Sequence, residues 1–351
     1  MPNSNSYYRP IGKIGLLIPK VIFGTGCLGN LFEVVPVQTK RDIVSEIIRN
    51  TTGTAVFDSA GKYGAGLALE ALGSSLHQLG IPPSQVIISN KLGWYRIPLK
   101  GPKPTFERDV WAGIHHDAEL RISYDGILQC YQQGRELLGA GYTTDLVSVH
   151  DPDEYLAAAQ TPAERARRFN DVLGAYRALF ELKASGKVRA VGIGAKDWHS
   201  IQEICQHVDL DWVMLACSLT VYTHPPELLD FICWLNAQKI AIINAAVFNA
   251  GFLIGGKWFD YRQPEPSKEP ALFAWREKFL SLCSRFAVKP ADACVQFGLA
   301  LPGVVSIALN TGKPERVSDN IASILRPIPT GFWLALKETG LISKDYPIGN
   351  S

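Results

Sequence analysis

The sequence of 351 residues predicts an α/β fold, a single (β/α)8 TIM barrel that begins with an N-terminal β-hairpin. Eight short apolar runs alternate with eight segments of helical periodicity, which is the order of elements in a parallel barrel. With 47% hydrophobic residues the chain can fill one large core. We therefore assign residues 1–351 to one barrel domain, with residues 1–8 as a flexible N-terminus and residues 342–351 as a C-terminal tail.

The predicted strands are short apolar runs that end at glycine or at a polar residue. Residues 9–18 form the hairpin, in which Gly12 and Gly15 are available for the turn. Barrel strands are expected at residues 21–26, 55–58, 86–91, 145–150, 188–193, 212–216, 240–245 and 304–309. Residues 24–29 have the letters of the G-x-G-x-x-G dinucleotide fingerprint, but a loop follows them and no acidic residue closes a second strand as expected. A doubly wound sheet is therefore rejected.

The predicted helices follow from apolar spacing and from their end signals. The first, residues 38–50, places Ile43, Val44, Ile47 and Ile48 at helical spacing. Helices are also expected at residues 67–79, 123–138, 162–185, 200–207, 227–237, 271–286 and 314–325, and three of them stop at Gly80, Gly139 and Gly186. Residues 93–117 contain three prolines and are interpreted as a long functional loop, and residues 255–270 as a surface loop.

Composition favours a soluble cytoplasmic protein and excludes several classes. The net charge of +2 and the pI of about 8.1 give no indication of a nucleic-acid or membrane surface. The N-terminus lacks the apolar segment of a signal peptide, and no apolar run is long enough to span a bilayer. The seven cysteines contain no C-x-x-C pair, so we expect neither disulfides nor a metal site. Cys27, in a glycine-rich turn, is the cysteine expected nearest a functional site.

Three predicted strands stop on residues that can take part in proton transfer. Asp58 closes residues 55–58, and Tyr63 follows it in a glycine-rich loop. Lys91 closes residues 86–91 and His150 closes residues 145–150. Each residue alone has an ordinary structural explanation, such as a helix cap or a core position. Because the C-terminal ends of barrel strands meet at one face, we expect the four side chains to lie together.

These residue types suit proton transfer at a carbon–oxygen bond. A free tyrosine has a pKa of about 10, and a nearby ammonium lowers it. We therefore expect Lys91 to lower the pKa of Tyr63, and Asp58 to pair with Lys91 and hold it. His150 would hydrogen-bond the substrate oxygen and orient it. Two alternatives stay open: Lys91 as the Schiff-base nucleophile of an aldolase, and a non-enzymatic barrel that senses a cofactor.

With these residues placed, the chain resembles the aldo-keto reductase superfamily from Arg9 to about Leu325. The motifs are Asp58 to Tyr63, Lys91, His150-Asp151-Pro152-Asp153, Gly186-Lys187-Val188-Arg189-Ala190-Val191-Gly192, and Pro314-Glu315-Arg316 with Asp319-Asn320. Within the superfamily it looks most like the galactose and fucose (D-threo-aldose) 1-dehydrogenase group. Further cues for that group are Ser123-Tyr124-Asp125-Gly126-Ile127 and Phe248-Asn249-Ala250-Gly251-Phe252-Leu253.

The resemblance implies that Asp58, Tyr63, Lys91 and His150 are the catalytic tetrad, and that NAD(P) carries the hydride. The residues implied for cofactor binding are Gly24, Thr25, Gly26, Lys196, Phe248, Asn249, Ala250, Gly251, Phe252, Leu253, Asn310, Thr311, Arg316, Asp319 and Asn320. Backbone amides near residues 251–253 would hold the pyrophosphate. Asn310 aligns with the phosphate-selecting lysine of NADP-preferring members, so NAD is expected over NADP. Trp94, together with His150, is expected to contact the substrate.

The expected function is oxidation of a free aldose of the L-fucose or galactose type at C1. The product would be the lactone, the hydride acceptor NAD or NADP, and Tyr63 the acid and base. The alternative in the same fold is an NADPH-dependent reductase of small aldehydes or ketones. The expected partner is a small sugar, with no nucleic acid and no membrane, and the sequence leaves the oligomeric state open.

Overall fold

A closed barrel of eight parallel strands forms the centre of the molecule in a computed structural model, which describes residues 7–139, 141–260 and 262–349. In chain order the strands are β1 (Tyr8–Ile11), β2 (Leu16–Pro19), β3 (Val21–Gly24), β4 (Ala55–Ala60), β5 (Val86–Leu92), β6 (Trp94–Pro98), β7 (His116–Leu120), β8 (Leu146–His150), β9 (Ala190–Ala195), β10 (Trp212–Ala216), β11 (Ala241–Ala245) and β12 (Val304–Leu309). The barrel order is β3-β4-β5-β8-β9-β10-β11-β12, and β12 pairs with β3 to close it. The predicted fold class is confirmed, and β9 lies two residues later than predicted.

The N-terminal end of the barrel is a packed core that the hairpin β1–β2 covers. Ile11 and Ile18 of the hairpin belong to the same apolar cluster as residues near the starts of the barrel strands. Trp212 on β10 fills the centre of this cluster, and a Cβ added at Gly192 on β9 would lie 2.3 Å from its ring. The glycine therefore makes room for the indole, and the chemistry is left to the opposite end of the barrel.

The described residues contain eleven α-helices. They are α1 (Val37–Asn50), α2 (Leu67–Gln78), α3 (Tyr124–Leu138), α4 (Pro152–Ala157), α5 (Pro162–Ala184), α6 (Trp198–Cys205), α7 (Pro226–Ala237), α8 (Pro270–Arg285), α9 (Pro290–Leu299), α10 (Val317–Ala322) and α11 (Thr330–Glu338). The predicted cap of α3 is present, since Ser123 Oγ accepts a hydrogen bond of 3.1 Å from the Gly126 amide. No helix among the described residues is long and apolar enough to cross a bilayer.

The segment 93–117, predicted as a loop, contains an antiparallel hairpin of β6 and β7. Its strands lack a clear alternation of apolar and polar residues, and distant side chains hold it in place. Gln133 exchanges hydrogen bonds of 2.7 and 3.0 Å with the backbone of Arg96, and the Arg96 guanidinium binds both oxygens of Glu70. The prediction of a continuous loop is therefore wrong for the two ends of this segment.

Three helices were not predicted: α4, α9 and α11. Helix α9 is the crossover between β11 and β12, and seven of its ten residues are buried, so it shows little helical amphipathicity. The region expected as a C-terminal tail also packs on the barrel, with Ile342 and Tyr346 buried. At the other end, Tyr8 already begins β1, while residues 1–6 of the expected flexible N-terminus lie outside the described residues.

Candidate active site

The C-terminal ends of β4, β5 and β8 bring the four predicted catalytic residues together. Lys91 forms an ion pair with Asp58, and each side chain is only 3% exposed. Ser89 Oγ donates a 3.1 Å hydrogen bond to the other oxygen of Asp58. Lys91 Nζ lies 4.8 Å from the centre of the Tyr63 ring, and the Tyr63 and His150 rings meet edge to face at 5.6 Å. Because Asp58 binds Lys91 Nζ, the geometry suits an orienting cation better than a Schiff-base nucleophile.

The loop after β4 presents Tyr63 through a close backbone contact. Gly64 has a φ of 61°, in the left-handed region, and a Cβ added there would lie 2.3 Å from the carbonyl oxygen of Gly29. Only glycine fits both requirements. The glycine that follows the tyrosine therefore fixes the loop against residues 26–29 and directs Tyr63 into the barrel mouth.

The pKa of Tyr63 is raised, which is the opposite of the direction expected from the sequence. Burial raises the pKa of the phenol well above its usual value, and the carboxylates of Asp58 and Asp151 raise it further. The ammonium of Lys62 acts in the other direction. Lys91 does not produce the expected lowering, since its charge is paired with Asp58. The phenol is thus protonated at neutral pH and is set up as an acid.

His150 is a neutral imidazole at the mouth of the barrel. Burial lowers its pKa to about 3, against an opposing effect of the adjacent carboxylate of Asp151. Its Nε2 atom lies 3.5 Å from Asp151 Oδ2, and its Nδ1 atom is buried without a hydrogen-bond partner among the described residues. A neutral ring carries one N–H, with which it can hold a substrate oxygen without competing for the proton.

A cavity of about 590 Å³ extends from these four residues to the loop after β12. The predicted cofactor residues that line it are Gly24, Gly26, Lys196, Phe248, Ala250, Gly251, Asn310, Thr311, Arg316, Asp319 and Asn320. Cys27 also lines it, as expected, and burial raises the pKa of its thiol to about 12. The neutral thiol is therefore a wall residue rather than a nucleophile.

Four predicted cofactor residues do not line the cavity. Thr25 Oγ1 donates a hydrogen bond to the Ser59 hydroxyl at 2.8 Å, and the side-chain amide of Asn249 donates one to the Asp260 carboxylate at 3.1 Å. Phe252 and Leu253 are buried in the core, and their amides donate to the carbonyls of residues 249 and 248. The amides predicted to hold a pyrophosphate are therefore already used, and these residues support the cavity wall from behind.

The substrate end also differs from the sequence expectation. Trp94 does not line the cavity: it packs on Phe106 at 5.5 Å, beneath the ammonium of Lys62. Trp111 lines the cavity where Trp94 was expected, and its ring centre lies 5.7 Å from that of Tyr63. Both tryptophans lie in the segment 93–117, which was predicted as one loop, but Trp94 belongs to the β6–β7 hairpin and Trp111 to the turn between its strands.

The charged residues at the cavity that were not predicted include Lys62, Glu107 and Asp151. Lys62 and Asp151 directly adjoin Tyr63 and His150 in the sequence, so adjacency to the tetrad was an available signal. Glu107 lies in the middle of a polar loop, and nothing in its local sequence marks it. These three residues make the substrate end of the cavity more highly charged than the four tetrad residues alone would make it.

The sequence model of the Aldo/keto reductase family matches residues 20–339. The chain belongs to this family. Among its relatives, a pyridoxal 4-dehydrogenase from Microbacterium luteolum is 29% identical over 95% of this chain and 98% of the relative. A D-threo-aldose 1-dehydrogenase from Pseudomonas sp is 27% identical over 93% of this chain and 96% of the relative. An L-galactose dehydrogenase from Arabidopsis thaliana is 25% identical, with 90% and 87% covered.

Solved structures of aldo-keto reductases have the same fold. A glycerol dehydrogenase from Gluconobacter oxydans superimposes with a TM-score of 0.69 at 17% identity, covering 99% of this chain and 97% of the other. An aldo-keto reductase from Bacillus halodurans gives a TM-score of 0.69 at 16% identity, with 97% and 99% covered. At these sequence identities the structural similarity shows the barrel fold and says nothing about the substrate.

Aldo-keto reductases use NAD(P), and the far end of the cavity fits such a group. Arg316 is an exposed cation there, and Asn310 presents a neutral amide whose oxygen lies 3.4 Å from the Cys27 amide. Glu33 adds a carboxylate, whose oxygen would lie 3.8 Å from a Cβ built on Gly312. Asp319 is occupied by ion pairs with Lys289 and Arg326. The glycine-lined path between the two ends leaves room for an extended ligand.

Proposed function

We propose that this aldo-keto reductase oxidises a free aldose of the L-fucose or galactose type at C1 to the lactone, with NAD(P) as hydride acceptor. The observation that carries the proposal is the position of the Tyr63 phenol, at the end of the cavity between the Asp58–Lys91 ion pair and His150. An acid–base group placed beside a fixed cation and a neutral imidazole suits alcohol–carbonyl interconversion.

Each residue has one task in this reaction. Tyr63 Oη, once deprotonated, takes the proton of the C1 hydroxyl, and the neutral His150 ring holds the same oxygen in place. Lys91, fixed by Asp58, supplies a positive charge beside the ring. The chemistry that bound NAD(P) supplies is acceptance of the hydride from C1. The C1–O bond becomes a carbonyl, and the sugar ring becomes a lactone.

The names of the relatives support a substrate that is a cyclic hemiacetal. An aldose, a galactose and pyridoxal are the compounds in those names. In each, a hydroxyl of the same molecule can add to the aldehyde and give a ring whose carbinol carbon is oxidised to a lactone. A hemiacetal hydroxyl is more acidic than an ordinary alcohol, so the Tyr63 phenolate removes its proton more easily.

The charged wall of the cavity suits a neutral substrate with several hydroxyls. Glu107 and Asp151 supply carboxylate oxygens that accept hydrogen bonds, and Trp111 supplies a flat apolar face for a sugar ring. Sites of this kind reject analogues that lack a hydroxyl, because their buried polar groups are then left unpaired. We infer discrimination among sugars from these polar groups rather than from cavity size.

We infer a preference for NAD over NADP. Asn310 carries no charge, and the carboxylate of Glu33 lies near Gly312 in the same loop region. A negative group there opposes an added phosphate, whereas the cation of Arg316 favours it. Together these charges favour NAD, which lacks the additional phosphate of NADP.

Pyridoxal is a second candidate substrate, favoured by the 29% identical relative and by aromatic walls. Trp111 packs beside Tyr63, and Phe32, which also lines the cavity, stacks on Trp258 at 4.7 Å. A planar aromatic ring would pack against such surfaces.

The test is a substrate panel with product analysis. Fucose, galactose, other aldoses and pyridoxal are each incubated with NAD and with NADP, reduced cofactor is followed by absorbance, and the lactone is identified by mass. We expect NAD-dependent lactone formation from at least one aldose. Pyridoxal lactone without any sugar lactone would move the proposal to the second candidate. Fast NADPH-dependent reduction of simple aldehydes, with no lactone from any hemiacetal, would contradict both.

A further inference from the structure

Lys62 is a buried cation that the proposed chemistry does not use. It precedes Tyr63 in the chain, and its side chain is 3% exposed. Its Nζ atom lies 2.7 Å from Glu107, 2.8 Å from Asp151 and 3.3 Å from Glu154. Buried lysines are rare unless they are paired, and this one has three carboxylate partners. The surrounding carboxylates raise its pKa despite burial, so it stays charged.

The partners of Lys62 come from two separate parts of the chain. Glu107 lies in the hairpin tip, which we define as residues 99–115 between β6 and β7. Asp151 and Glu154 belong to the segment after β8. Lys62 itself lies in the loop after β4. One ammonium therefore joins three loops at the mouth of the barrel, beside an apolar cluster in which Phe106, Trp111 and Ile114 of the tip pack with Ala65 of the loop after β4.

Two of these partners also contact the substrate side of the cavity. The second carboxylate oxygen of Glu107 accepts a 2.7 Å hydrogen bond from the Trp111 indole, whose ring faces Tyr63. The same Asp151 oxygen that binds Lys62 lies 3.5 Å from His150 Nε2. Lys62 is thus connected to Trp111 through Glu107 and to His150 through Asp151.

Both carboxylates are carried on strained backbone. Glu107 has a φ of 39° and Asp151 a φ of 47°, in a region that residues with a side chain rarely adopt. Such conformations persist where surrounding contacts hold them. The ion pairs with Lys62 are the charge-assisted contacts that Glu107 and Asp151 share, and without the ammonium the like charges of these two carboxylates would repel each other.

We propose that Lys62 is a positioning residue, which holds the hairpin tip against the segment after β8 and thereby places Trp111 and His150 for the substrate. The tip has other anchors besides this apolar cluster, because the Phe32 amide donates to the Val110 carbonyl at 2.7 Å and the Ala112 amide donates to the Asn30 carbonyl at 2.9 Å. Loss of Lys62 should therefore loosen the tip without releasing it. The kinetic part of this inference rests on the proposed function, and the structural part does not.

The test compares four variants by hydrogen–deuterium exchange and by kinetics. Lys62→Met removes the charge, and Lys62→Arg keeps it. Glu107→Gln removes the Lys62–Glu107 ion pair but keeps Lys62 and the oxygen that accepts from the Trp111 indole. This variant tests the inference if Lys62→Met folds poorly. Lys103→Met is the matched control, because Lys103 pairs with Asp109 in the same hairpin tip with both side chains more than 70% exposed.

We expect amide exchange in residues 105–112 to be at least about tenfold faster in Lys62→Met, and faster to a smaller degree in Glu107→Gln. Lys62→Arg and Lys103→Met should stay close to the unmodified protein. With the hemiacetal substrate, KM should rise by about tenfold in Lys62→Met, and Lys62→Arg should restore most of it, while the dissociation constant of the cofactor changes less than about twofold.

Exchange in residues 105–112 that is unchanged in both Lys62→Met and Glu107→Gln would overturn the inference. A uniform rise in exchange over the whole barrel would also overturn it, because Lys62 would then support general stability. If the unmodified protein oxidises no hemiacetal, the proposed function fails, whereas the exchange comparison still decides the role of Lys62.

Discussion

Tyr63 is buried among more negative than positive groups, and both the burial and these charges raise its pKa. The charged or titratable groups around it are Asp58, Lys91, Lys62, Glu107, Asp151 and His150. Burial contributes most to the raised pKa of Tyr63, the carboxylates of Asp58, Asp151 and Glu107 raise it further, and the ammonium of Lys62 opposes them. His150 is neutral. The resting phenol is an acid, and a base is available only after it loses its proton.

Replacement of Tyr63 by phenylalanine tests the assignment of the acid and base. The change removes one hydroxyl and keeps the ring that packs on Trp111. We expect kcat to fall by about 10²–10⁴-fold while the cofactor dissociation constant stays nearly unchanged. Activity within about threefold of the unmodified enzyme would remove Tyr63 from the proposed mechanism.

The pH dependence of oxidation follows from the direction of the Tyr63 pKa. The pKa of Tyr63 in the folded protein lies above its usual value, so the fraction of phenolate keeps increasing as the pH is raised beyond neutral. The kcat for oxidation should increase with that fraction. Lys91→Met leaves the Asp58 carboxylate uncompensated beside the phenol, so the rise should move to higher pH.

The pH–rate profiles of three proteins check this: the unmodified enzyme, Lys91→Met, and Lys91→Met combined with Asp58→Asn. The double variant removes both charges of the pair and should move the profile back toward that of the unmodified enzyme. If the three profiles coincide and activity is retained, Lys91 and Asp58 have only a structural role.

The positions of the four tetrad residues could be predicted because each lies on or just after a strand, and strand ends converge in a barrel. The direction in which the pKa of Tyr63 is shifted could not be predicted. It depends first on the burial of the phenol, then on Asp58, and then on Asp151, which is distant in sequence. Which of Trp94 and Trp111 faces the cavity also depended on a hairpin that local sequence did not indicate.

At the scale of elements, the loop after β12 is where cofactor choice is decided in our proposal. Asn310→Lys places an ammonium at an exposed position that lines the cavity, near the guanidinium of Arg316. A charge-assisted bond to phosphate contributes roughly 1.5–3 kcal/mol, so the NADP to NAD ratio of kcat/KM should rise by about 10- to 100-fold.

The control for this prediction is Lys313→Gln, which changes an exposed cation of the same loop that does not line the cavity. It should leave the ratio close to that of the unmodified enzyme. An unmodified enzyme that already prefers NADP would mean that Arg316 suffices and that the weight given to Asn310 and Glu33 is wrong.

Elements with strong local signals were predicted well, and those held by tertiary contacts were not. Strands β10 and β12 were predicted to the residue, because they are continuous apolar runs with buried faces. Hairpin β6–β7 depends on Arg96 contacting Gln133 and Glu70, which no local pattern shows. Helix α9 was missed because burial on most sides removes the periodicity from which helices are predicted.

At the scale of the whole molecule, the segment after α11 is part of the core. The Tyr346 ring stacks on Phe297 of α9 with centres 3.8 Å apart, and its hydroxyl donates to the Phe297 carbonyl at 2.8 Å. Tyr346→Ala should lower the free energy of unfolding by about 3–5 kcal/mol, as measured by urea denaturation.

Tyr346→Phe is the matched comparison, since it keeps the stacked ring and removes the hydrogen bond. It should cost only about 1 kcal/mol. Equal and negligible effects of both changes would mean that this segment contributes nothing to stability and behaves as the tail that the sequence predicted.

The closure of the barrel between β12 and β3 has a consequence for synthesis on the ribosome. Ile307 pairs with Val21, and its amide donates to the Lys20 carbonyl at 2.8 Å, so the last barrel strand must complete a ladder with the first. Translation proceeds at about 5–20 residues per second, so β3 waits for tens of seconds with one edge unpaired. During that interval the nascent chain presents an open sheet, and chaperones that cover exposed strand edges would act on this protein before release rather than after it.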